Sequence, residues 1–104
     1  MIKVIVVDDE RFVRMGIVGE TDWASLGCEV VGEAENGLDA LELVHEKNPD
    51  LMICDIRMPK MNGLEMLKKL REEKNPVQVI FLTAYSEFSY AREALKLYAF
   101  DYLL

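Results

Sequence analysis

Cysteine is scarce in this chain, and the scarcity excludes two readings. Cys28 and Cys54 are the only two among 104 residues, too few for a disulfide framework and without the short spacing of a zinc site. Cys54 ends an apolar run and reads as a small, reduced core residue. Positive charge is also short: 12 Lys and Arg stand against 19 Asp and Glu, a net charge of -7. Gripping nucleic acid by its phosphates takes a basic face, so any such contact has to come from another segment. Long apolar stretches are missing too. None approaches the roughly 20 residues that span a bilayer. The opening MIKVIVVDDE passes from a short apolar run into three acids, which suits neither a signal peptide nor a membrane anchor. A cytoplasmic protein is expected.

What is present is the composition of a soluble globule, 51% apolar and 30% charged, at a length that suits one domain, 1–104. Apolar strand-like runs at 3–7, 29–33, 51–54, 77–82 and 100–103 alternate with helical patterns at 10–18, 37–47, 63–73 and 87–98. That alternation is the mark of a parallel sheet covered by helices. Asn36 three residues before Asp39, Asn62 three before Glu65, and Ser86 before Glu87 each offer a side-chain oxygen to a helix start. Asn48-Pro49 and Asn75-Pro76 end the second and third helices. The first, third and fourth strands are continuously apolar and should lie buried on both faces at the sheet centre. Right-handed crossovers then favour an α/β, flavodoxin-like, doubly wound sheet of five parallel strands in the order 2-1-3-4-5.

That order reverses direction between strands one and three, and ligands bind at the carboxyl ends of strands flanking such a switch point. Asp8 and Asp9 end the first strand and Asp55 ends the third. A lone "DDE" would be no more than a solvated turn, with acids near a helix N-terminus. Three converging carboxylates repel one another, and a cation is expected among them. Oxygen ligands, with neither Cys nor His in the matching loops, suit Mg²⁺ better than zinc.

Four segments in order, "VVDDE", "DIRMPKMNG", "FLTAY" and "AFDYLL", make the chain resemble the receiver domain of bacterial two-component response regulators over essentially its whole length. The stretches "TDWASLGCEVVGEAENGLDALEL" and "SEFSYAREALKLYAFDYLL" further resemble receivers joined to an AraC-type DNA-binding output domain. The resemblance implies that Asp55 accepts a phosphoryl group from a sensor histidine kinase. It implies Mg²⁺ held by Asp9 directly, by Asp8 through water, by Asp55 and by the backbone carbonyl of Arg57. Thr83 would bind a phosphoryl oxygen, Ala84 would leave room for the phosphoryl group, and Tyr102 would be the aromatic that turns inward on phosphorylation. The phosphorylated state would be relayed to a linked output domain that regulates transcription, with the domain acting as a switch and not as an enzyme. The family pattern continues past "FDYLL" with a lysine, a proline and a fifth helix, none of which follows Leu104 here. The expectation is therefore a receiver truncated at its C-terminus, with an apolar face that invites pairing with a second copy.

Other features are bland. His45 falls on the polar side of its helix and is expected to be solvated. Met15, Met52, Met58, Met61 and Met66 are expected to pack, Trp23 to cover the loop after the first helix, and Phe88, Ala91, Ala94, Leu95 and Tyr98 to be mostly core, with Tyr90 and Tyr98 available as contacts. A Mg²⁺-dependent phosphatase with an aspartyl nucleophile would want a second acid two residues on, where Arg57 stands. A flavin carrier on the same sheet would need a glycine-bearing phosphate loop where "DDERF" stands. A non-phosphorylated interaction domain is the third alternative.

Overall fold

Parallel pairing holds together every strand of the sheet in the computed structural model, which describes residues 1–82 and the backbone of 101–103. The elements are β1 (Ile2–Val7), α1 (Arg11–Glu20), a 3-10 turn at Ala24–Leu26, β2 (Cys28–Ala34), α2 (Gly37–Lys47), β3 (Leu51–Cys54), α3 (Gly63–Glu72), β4 (Gln78–Leu82) and β5 (Asp101–Leu103). The strand order is β2-β1-β3-β4-β5, as the alternation predicts. The register sets Val7 opposite Cys54 and Phe81 opposite Tyr102, so β1 and β3 end level with each other.

One face of the sheet carries the main core. Ile5, Val7, Met52, Cys54, Val79 and Phe81 meet Ala40 and Val44 of α2 and Met66, Leu67 and Leu70 of α3. Burial of an aliphatic side chain of this size contributes about 1.5–3 kcal/mol. The helices that close this core start where their caps predict. Asn36 accepts the Asp39 amide at 2.9 Å. Asn62 accepts the Glu65 amide at 2.8 Å while Glu65 accepts the Asn62 amide at 3.0 Å, a complete capping box. Asn48 closes α2 in the left-handed conformation, φ 47°.

The other face is thinner. Val4, Val6, Cys28 and Ile53 are buried there against the half-buried Ile17, Val18 and Trp23, and no residue of α1 is fully buried. β4 accordingly alternates, with Val79 and Phe81 buried and Ile80 and Leu82 only partly so. This corrects the expectation that β4 is buried on both faces, because among the described residues only α1 and its following turn cover that side. Met15 is corrected as well: it is 52% exposed, pointing away from the sheet, whereas Met52 and Met66 are core and Met58 and Met61 pack against it. Trp23 is half-buried and donates its indole N–H to the Val18 carbonyl at 3.2 Å, as befits a cover over the end of α1. His45 is exposed but partnered, with Nε2 at 2.8 Å from Glu73, so it ties α2 to the end of α3. Both cysteines are buried and free. The helix expected at 87–98 with Ser86 as its cap, and the set Phe88, Tyr90, Ala91, Ala94, Leu95 and Tyr98, lie outside the described residues.

Candidate functional site

β1 and β3 deliver their carboxylates to one rim because the ladder between them continues one residue past β3: the Asp55 amide donates to the Val7 carbonyl at 2.9 Å. On the outer side, the Asp8 amide donates to the Ala34 carbonyl of β2 at 3.1 Å. Asp8 and Asp55 are thus fixed by the sheet itself. Asp8 is 6% exposed, Asp55 is half-buried and Asp9 is exposed. A carboxylate oxygen of each lies within 4.8 Å of the others.

One oxygen of each inner carboxyl is already engaged locally. Asp8 Oδ1 accepts the Glu10 amide at 2.8 Å, and Asp55 Oδ1 accepts the Ile56 amide at 2.8 Å. Burial followed by the charge of Asp8 pushes the Asp55 carboxyl up to about 6, with Asp9 and Glu10 adding to the rise and the Ile56 amide opposing it. Burial raises Asp8 also, partly offset by the Glu10 amide. Cys54, wholly buried beside Asp55, is pushed well above the ordinary thiol range by burial and is an inert neighbour. It donates its S–H to the Asp55 carbonyl at 3.0 Å.

The donor set suits a hard divalent cation. It consists of oxygens, is graded from buried to exposed, and carries in Asp8 and Asp55 two carboxyls raised first by burial and further by neighbouring acids, a rise that a cation relieves. Asp8, Asp9 and Asp55 would hold Mg²⁺. Arg57, also expected to contribute through its carbonyl, lies exposed in the loop two residues beyond Asp55. Thr83 and Ala84 are outside the described residues, and of Tyr102 the structure gives its place in β5 beside Phe81.

Sequence reasoning missed the glycines that hold the loops in place. The Gly63 amide donates to the Ile56 carbonyl at 2.8 Å, and a methyl group at 63 would stand 2.5 Å from the Asp55 carbonyl oxygen and 2.9 Å from Phe81 Cε1. Gly37 donates to the Met61 carbonyl at 2.9 Å, and a methyl group there would stand 2.5 Å from that same oxygen. Close approach of α3 to Asp55, and of α2 to Met61 in the same loop after β3, therefore requires glycine. The available signal was a glycine directly after a helix cap, a position where its poor helix propensity needs a reason. Arg14 was missed too: its Nη1 donates to the Asp8 carbonyl at 2.6 Å.

Comparison with known proteins agrees with this geometry. Residues 4–104 match the family described as the response regulator receiver domain. Over its full length the chain is 42% identical to the transcriptional regulatory protein YesN of Bacillus subtilis (strain 168), itself uncharacterized, of which it covers 28%. It is 43% identical over 108 residues to the transcriptional regulatory protein BtsR of Salmonella typhimurium (strain LT2), covering all of this chain and 42% of BtsR. Among solved structures, the REC domain of AraT, a response regulator from Geobacillus stearothermophilus, superposes with a TM-score of 0.89 at 45% identity, over 98% of this chain and 79% of that one. The chain thus spans less than half the length of these two regulators. With its sheet order, its acidic rim at the switch point and this match over nearly every residue, the chain belongs to the response regulator receiver domains.

Proposed function

We propose that the chain is a phosphorylation switch in which Asp55 accepts a phosphoryl group from the phosphohistidine of a sensor histidine kinase, with Mg²⁺ held by Asp8, Asp9, Asp55 and the Arg57 carbonyl. The observation that carries this reading is the meeting of three carboxylate oxygens within 4.8 Å at the switch point, with the Asp55 backbone anchored to Val7. The Ile56 amide holds Oδ1 of Asp55, which leaves Oδ2 to attack. An Asp55 oxygen bonds to phosphorus as the P–N bond breaks, and the donor imidazole keeps the bonding pair and is protonated by solvent. When bound, Mg²⁺ would supply charge neutralisation for the transfer, since a carboxylate approaching an anionic phosphoryl group is otherwise repelled. Asp8 and Asp9 hold that positive charge beside the acceptor, and catalysis is positioning more than bond-making by the protein.

Thr83 then receives a phosphoryl oxygen on its hydroxyl, Ala84 gives the group room, and Tyr102 turns inward. The added charge of about -1.5 to -2 is read by the surface around β4 and β5. An AraC-type DNA-binding output domain and a second copy of the receiver are the partners this reading assigns, and the cytoplasm is its place of action. The two regulators compared above support a role in transcription. The reading is tested by incubating the chain with acetyl phosphate and measuring intact mass. One phosphoryl group should be gained with Mg²⁺, none after chelation, and none in Asp55→Ala. Undiminished phosphorylation of Asp55→Ala would overturn the assignment.

A further inference from the structure

Behind the acidic rim, Arg14 joins three elements. It lies in the first turn of α1, with its own amide bonded to the Glu10 carbonyl at 3.0 Å. Its guanidinium reaches back over the loop it follows: Nη1 donates to the Asp8 carbonyl at 2.6 Å, and Nε donates to Glu33 Oε1 on β2 at 3.1 Å. The side chain is 16% exposed, against 43% for Glu33. It lines a shallow cleft together with Glu33, Ala34, Glu35 and Asp39. Asp8 is consequently held at its amide by Ala34, at its carbonyl by Arg14 and at Oδ1 by Glu10. The Asp8 carbonyl belongs to the peptide that leads into Asp9, so holding it restrains the backbone from which the Asp9 carboxylate projects.

We propose that Arg14, steadied by Glu33, is a positioning residue that fixes the Asp8–Asp9 peptide so that both carboxylates face the cation site. The proposal rests on the Mg²⁺ reading above and concerns the aim of the ligands. A guanidinium suits the task because its planar fork can serve a carbonyl and a carboxylate at once, which an ammonium on a flexible stem cannot do in one geometry. Charge and position make opposite demands here. If Arg14 acted through charge alone, removing a cation beside the site would tighten Mg²⁺. If it acts by position, removal loosens it.

The test measures Mg²⁺ affinity from the shifts of backbone amides around Asp9 and Asp55 in the ¹⁵N-labelled chain. It also measures the Mg²⁺ dependence of phosphorylation by acetyl phosphate. Arg14→Gln and Arg14→Lys are both expected to weaken Mg²⁺, by roughly tenfold for Arg14→Gln and less for Arg14→Lys, the range seen when groups orienting a metal ligand are lost. The half-saturating Mg²⁺ should rise equally, while the rate at saturating Mg²⁺ stays within about twofold, because Arg14 touches no reacting atom. Glu33→Ala, at a half-exposed strand position, should weaken Mg²⁺ in the parent chain and add nothing in Arg14→Gln. Unchanged or tighter Mg²⁺ in Arg14→Gln, restoration to the parent value by Arg14→Lys, or full additivity with Glu33→Ala would each overturn the proposal. A parent chain whose amides do not respond to Mg²⁺ would overturn the metal reading, and this proposal with it. A responding parent with unaltered variants overturns this proposal alone.

Discussion

Asp55 is a carboxyl group whose rise in pKa is helped by the charges of three acids, Asp8, Asp9 and Glu10. Its carboxyl stands at about 6 in the fold, raised chiefly by burial, against about 3.9 in an unfolded chain. The folded state therefore binds the proton more tightly than the unfolded one. Stability from this group is complete below about pH 4 and is lost as pH rises through 6. Without Mg²⁺, the protein should resist urea better at pH 5 than at pH 7.5. Asp55→Asn should gain on the order of 1 kcal/mol at pH 7.5, a figure kept small because the carboxyl is partly open to solvent, and nothing near pH 4. Urea titrations in chelator at the three pH values check this. An Asp55→Asn variant that is less stable at pH 7.5 would show that the carboxylate is satisfied in some other way.

Among the elements, α3 positions Asp55, the proposed acceptor, most directly. Its capping box fixes the first turn, and Gly63 lets that turn rest on the Asp55 carbonyl and Phe81. Neither neighbour is the free end of a flexible side chain, so Gly63→Ala should cost about 1–3 kcal/mol, as for overpacking of a close contact. It should also slow phosphorylation, since the displaced peptide is that of the proposed acceptor. Equilibrium unfolding and the rate with acetyl phosphate measure the two effects, and wild-type values in both would mean the loop has slack that the contacts deny. Much of this level was legible beforehand. The apolar runs, the Asn36 and Asn62 caps and the left-handed Asn48 are local signals, and they set α2 from Gly37 to Lys47 as expected. Less legible were features that depend on what lies opposite. The alternation of β4 comes from thin cover on the α1 side, the exposure of Met15 from the way α1 rolls over the sheet, and the Arg14–Glu33 pair from two residues 19 positions apart. No pattern within α1 says which of its side chains will meet the sheet, because none becomes fully buried.

Across the whole molecule, sheet order decides where chemistry can occur. β1 and β3 are neighbours whose crossovers run in opposite directions, and the crevice at their ends is where a doubly wound sheet takes a ligand. The carboxylates could be assigned to that crevice from sequence because Asp8 and Asp55 directly follow apolar strands and Asp9 comes next in line. Their mutual distances and the unequal burial of Asp8 and Asp9 came only with the register of Val7 against Cys54. In the proposed switch, this crevice aims one particular carboxylate at phosphorus. The most direct test is to treat the chain with acetyl phosphate and Mg²⁺, reduce the resulting acyl phosphate with borohydride, and sequence the peptides by mass spectrometry. Residue 55 should be converted to homoserine, with Asp8 and Asp9 unchanged. Conversion at Asp8, Asp9 or any other acid in place of Asp55, or none at all with Mg²⁺ present, would contradict the proposal.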